Sequence, residues 1–131
     1  MDVVSPDYER LIVLSVFREF EQEALRLLVE PILGSDLVSA VISDGEFVSL
    51  EHNGVGYFLI VRHAALPERR TIFRDPFVIG RADEVLGMYL VFVENGELML
   101  ECAPVPPSKV PKEFRDMAVS ISIENVTRAA N

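Results

Sequence analysis

The chain has no tryptophan, one cysteine and two histidines among its 131 residues. A lone cysteine, Cys102, excludes an internal disulfide and fits a reducing compartment. Two histidines, His52 and His63, placed at opposite ends of their expected strands, fall short of the three or four clustered ligands that zinc sites use, so no metal is expected. Basic residues are also few: 12 Lys and Arg face 21 Asp and Glu, for a formal net charge of -9. Each phosphate contact needs a cation, so a nucleic-acid partner is disfavoured. The longest apolar stretch, Gly87 to Val93, is far below the roughly 20 residues of a membrane-spanning helix, and no membrane association is expected. The first residues, Met1 to Pro6, lack the basic start and apolar core of a secretory signal, which gives a cytoplasmic expectation. There is no Gly-rich phosphate loop, no Gly-x-Ser-x-Gly elbow and no His-Glu-x-x-His pair, and no cofactor is expected.

What is present is an ordinary globular composition, half apolar and a quarter charged. That length and balance suit one domain over residues 1–131 with a real core. Ser5-Pro6-Asp7 has the chemistry of a helix start. Tyr8, Ile12, Val16, Phe20, Ala24 and Leu27 or Leu28 then recur at three or four residues, predicting an amphipathic helix that either begins late or breaks near Ser15. Pro31 disfavours helix at Glu30, and Gly34 supplies a stop.

From Asp36 the pattern reads with period two. Leu37 to Ser43, Glu46 to His52 and Val55 to His63 are predicted strands, reversed at Asp44-Gly45 and Asn53-Gly54. Tight turns at those sites set Val41 against Val48, Val48 against Leu59, and Phe47 against Ile42 and Ile60. Thr71 to Phe73 and Phe77 to Ile79 are short extended pieces split by Asp75-Pro76, followed by a polar connector over Gly80 to Leu86. Met88 to Glu94 and Glu97 to Cys102 form a hairpin about Asn95-Gly96, and Met117 to about Glu124 is a half-buried edge strand. The expected fold class is α+β: an N-terminal amphipathic helix or helix pair on a mostly antiparallel sheet of five to seven strands. Both sheet faces carry large apolar residues, so cover is expected on both, from the helix on one and from loops, further sheet or a partner subunit on the other.

The acids crowd the front: residues 1–50 hold ten acids and three bases, a balance of -7. An arginine-rich stretch follows, with Arg62, Arg69, Arg70, Arg74 and Arg81 against Glu68 and Asp75. Glu101, opposite Leu90 and beside Phe92 and Met99, is a carboxylate on an apolar face, where rim exposure, an arginine partner or a pocket are the alternatives. Cys102, opposite Tyr89, reads as a buried, inert thiol.

With no catalytic constellation, the leading expectation is a non-catalytic protein-binding module, of the adaptor, inhibitor or immunity type, whose partner has a basic surface. The alternative is a binder of small anionic ligands, or an enzyme, with a pocket between helix and sheet. Arg62, His63, Arg74, Arg81 and Glu101 are the candidate ligand- or partner-binding residues. A homodimer through sheet edges or faces is compatible with either.

Overall fold

The computed structural model describes residues 15–124. The Ser5-Pro6-Asp7 start and the stripe members Tyr8 and Ile12 lie outside them. Two helices, α1 (Glu19–Leu33) and α2 (Ser35–Asp44), precede β1 (Glu46–His52), β2 (Tyr57–Arg62), β3 (Thr71–Ala82), β4 (Val85–Glu94) and β5 (Glu97–Pro104). A 3-10 turn (Lys112–Asp116) and β6 (Ser120–Glu124) complete the fold. The strands form one antiparallel sheet in the order β1-β2-β5-β4-β3-β6, with the helices packed against it. This is the α+β fold that the periodicities predict.

Helix α1 begins where Glu21 folds back, its Oε1 accepting the Arg18 backbone N–H at 2.8 Å. Glu19 and Glu21 in the first turn suit the positive end of the helix dipole. The helix runs through Pro31 to Leu33 and does not yield at Glu30. Leu28 and Val29 are buried against the sheet and hold the last turns in place. Gly34, with φ 92°, then turns the chain as expected, donating its N–H to Glu30 O at 2.9 Å.

The first predicted strand, Leu37 to Ser43, is a helix. Its buried residues are Val38, Val41 and Ile42, spaced i, i+3, i+4. Valine and isoleucine are weak helix formers, so the local pattern reads as strand. Packing on α1 and the core decides otherwise. Asp44-Gly45 is accordingly a helix end rather than a hairpin, with the Gly45 N–H on Val41 O at 2.8 Å.

The Asn53-Gly54 reversal exists but spans four residues, because Asn53 Oδ1 accepts the N–H groups of both Val55 and Gly56. His52 therefore faces Tyr57, and Leu50, not Val48, faces Leu59. A bulge about Val48 then sets Phe47 against Val61 instead of Ile60. Asn95-Gly96 is the expected two-residue turn: Glu94 pairs with Glu97, and φ is 53° and 77° at the two corner residues. Thr71–Ala82 is one strand, not two pieces, its ladder with β4 interrupted between Phe73 and Val78 on either side of Asp75-Pro76. The expected polar connector is instead strand, with a tight turn at Asp83-Glu84 between Ala82 and Val85. Strand β6 lies at the sheet edge, as its alternating pattern predicts.

The core lies between the helices and one sheet face. Ala24, Leu25, Leu28 and Val29 of α1 and Val38, Val41 and Ile42 of α2 are buried with Leu59, Val61, Val91, Val93, Leu98 and Leu100. At one end the chain after β5 closes the core with Val110 and Phe114, both sealed from solvent.

Candidate functional site

Strand alternation divides the sheet sharply. On β2, β4 and β5 the residues facing the helices are buried, apart from half-buried Val85 and Pro104 at strand ends, and most of those between them are half-buried. Register carries the second set across the sheet. Phe58 faces Glu101, which faces Leu90; Ile60 faces Met99, which faces Phe92; Phe92 faces Ile72 on β3. Directly opposed side chains lie about 4.5–5.5 Å apart, so these residues, Glu101 excepted, form one continuous apolar surface. Among the described residues the helices cover only the other face. The expectation of cover on both sides is therefore met on one side by residues 15–124.

The surface has an acidic border over the β1-β2-β5-β4 half. Glu46 and Glu51 stand on β1, and Glu94 and Glu97 meet beside the Asn95-Gly96 turn. Arg62 is the basic residue there, held by Glu97 at 2.7 Å and Glu46 at 3.9 Å. Glu101 is the charge inside the border. Its neighbours across the strands are Phe58 and Leu90, and no described residue forms an ion pair or hydrogen bond with it. Desolvation raises its carboxyl pKa above the usual carboxylate value.

The other candidate residues do not converge on Glu101. Arg62 and His63 share a hollow of about 460 Å³ with Asp44, Glu46 and Glu68 at the Asn95-Gly96 end of the sheet. His63 Nδ1 accepts the Ala65 N–H at 2.9 Å. Arg74 is exposed beside Asp75 over a shallow hollow with Ile32 and Ile72. Arg81 is exposed near the far end of the sheet, between Leu86 of β4 and Ser120 of β6. No family model, curated protein or solved structure matches this chain.

The sequence reading missed a second polar cluster. Glu21 is completely buried at the start of α1. Its two oxygens accept from Arg115 Nε and Nη2, each at 2.7 Å, and from the Tyr57 hydroxyl at 2.6 Å. Tyr57 in turn meets Tyr89 Oη at 2.7 Å. Arg115 also donates to Val16 O at 2.9 Å and stands 5.9 Å from the centre of the Tyr57 ring. Burial, with Glu21 nearby, holds the Tyr57 phenol far above its ordinary pKa. Cys102 lies beneath this cluster, opposite Tyr89, with its thiol pushed up to about 12, chiefly by burial. Both oxygens of Glu21 are occupied by groups of the same chain, so the carboxylate binds secondary structure together and has no acceptor to offer a ligand.

His52 is similarly engaged. Its Nε2 donates to Val110 O at 2.6 Å and its Nδ1 accepts the Gly54 N–H at 3.0 Å. Both ring nitrogens are used in anchoring the proline-rich loop to β1, leaving neither for a metal or a proton-transfer role. Among the described residues no group of three or more His, Cys, Asp or Glu side chains is placed to hold a metal ion.

Proposed function

We propose that this protein is a non-catalytic binding module that docks a basic protein partner on the open face of its sheet. The observation that carries the reading is the apolar surface of Phe58, Ile60, Leu90, Phe92 and Met99 inside a border of Glu46, Glu51, Glu94 and Glu97. Contiguous apolar surface rimmed by polar residues marks interaction sites in soluble proteins. Its aromatic and methionine content is that of interface cores.

Charge selects the occupant. A second copy docked face to face about a two-fold axis through the β2-β5-β4 half would bring acidic border against acidic border, and like charges so placed repel. A partner with an apolar patch flanked by Lys and Arg meets both features, and the overall charge of -9 would speed its approach. The anionic-ligand alternative draws less support. Arg62 is bound by two carboxylates, and Arg74 and Arg81, both exposed, stand at separate positions along β3.

Photo-cross-linking tests the proposal. A benzophenone amino acid replacing Phe92 is irradiated in a lysate of the native host at low and moderate salt. The expected adduct is a basic protein, lost when Phe58→Ser and Ile60→Ser are combined and weakened by salt. An adduct to a second copy, or within the same chain, would give the face a different occupant and overturn the proposal. So would an adduct indifferent to the serine substitutions.

A further inference from the structure

We infer that the partner inserts a lysine or arginine, flanked by apolar side chains, onto Glu101 at the middle of the open face. This rests on the docking proposal and adds the chemistry of its anchor.

Glu101 sits between two strands that both present apolar residues to it, Phe58 on β2 and Leu90 on β4. Along its own strand the residues on the same side are Met99 and Ala103. A carboxylate so placed loses part of its hydration, and no described residue supplies a counter-charge. Arg62, the nearest basic residue in the border, is already held by Glu97 and stands opposite that residue, four positions along β5 from Glu101. Among the described residues nothing uses a charge at this position. An apolar side chain would continue the surface without the desolvation cost that the carboxylate carries.

A cation arriving with an apolar partner surface reverses that balance. Water leaves the face as it is covered, and a charge-assisted hydrogen bond to Glu101 then forms in a low-dielectric setting. A partner with an aliphatic residue at that point would bury the carboxylate unpaired and be rejected. Border acids attract any basic chain, whereas Glu101 discriminates among them. The central group thus confers specificity and the border confers rate.

A phage-displayed library of random 12-residue peptides, selected on the full-length protein, on Glu101→Gln and on Phe58→Ser/Phe92→Ser, tests this. The expected wild-type selection is rich in peptides with Lys or Arg between apolar residues. The best of these should bind Glu101→Gln at least about tenfold more weakly, and replacing their central cation by methionine should have the same effect on wild type and none on Glu101→Gln. Peptides that lose affinity on Phe58→Ser/Phe92→Ser yet bind Glu101→Gln as well as wild type would overturn the inference while leaving the docking face standing. Selection indifferent to the phenylalanines would remove both. Circular dichroism of each variant at matched concentration separates lost binding from lost fold.

Discussion

Arg115 and Glu21, 94 residues apart in the chain, form a two-pronged ion pair in which the carboxylate is fully buried and the guanidinium nearly so. This contact joins the first turn of α1 to the 3-10 turn after the proline-rich loop. Tyr57 and Tyr89 extend it onto β2 and β4. Removing one partner strands the other charge inside the protein. Glu21→Ala should therefore cost about 3–5 kcal/mol of unfolding free energy. Arg115→Lys should recover only part of the wild-type value, because an ammonium cannot make the paired contact. Urea denaturation followed by circular dichroism measures both.

Alkaline conditions should weaken the fold. Cys102, Tyr57 and Tyr89 all have their pKa raised, chiefly by burial, so the native state keeps protons that the unfolded chain releases. Their contribution is complete below the unfolded values of about 8.5 for Cys and about 10 for Tyr, and declines as pH rises beyond them. For Cys102 the loss runs from about pH 9 to about 12. The urea midpoint should fall steadily over that range, and less steeply in Cys102→Ala. A midpoint unchanged between pH 8 and 10.5 would contradict the burial of these groups.

The same raised thiol predicts chemical silence. Native protein at pH 8 should react with a disulfide reagent far more slowly than denatured protein, since the thiolate is the attacking species. Release of a chromogenic thiol with and without guanidinium gives the ratio directly. Equal rates would place Cys102 at the surface.

Adjacent residues on β2 should behave as opposites. Leu59 is fully buried beneath the helices, and Ile60 is half-buried on the other face. Leu59→Ala should cost about 2–5 kcal/mol. Ile60→Ala should cost under about 1.5 kcal/mol, the value of partial burial. Leu100→Ala and Met99→Ala should repeat the contrast on β5. Comparable losses at neighbouring positions would mean that both faces are sealed.

Gly56 offers a backbone test. A methyl group there would run into the Cys102 carbonyl, which belongs to the main chain and cannot swing aside. Gly56→Ala should cost about 1–3 kcal/mol, although Gly56 lies outside any regular element. Gly54→Ala should be damaging for a different reason, its φ of 99°, since nothing crowds that side.

The hairpin about Asn95-Gly96 was legible because two local signals agreed: corner residues that accept positive φ, and alternating apolar positions on either side. Glu101 and Cys102 were set on their proper faces by that register alone. At Leu37 to Ser43 the local signal was ambiguous, since Val38, Val41 and Ile42 fit a helix face while β-branched composition fits a strand. Asn53-Gly54 named a reversal but not its length, because the Asn53 side chain captured two backbone amides that a two-residue turn would have spent in the ladder.

The sequence by itself determined the class of the fold, the central hairpin, the edge position of β6 and the strong acidity, all of which depend on neighbours within a few residues or on composition. Only the tertiary structure decided that α2 is a helix, that Glu21 finds Arg115, and that the face bearing Glu101 is left open by residues 15–124. Those outcomes depend on which distant segments come to lie against one another. A side chain's partner across 94 positions is chosen by packing, on which local periodicity carries no information.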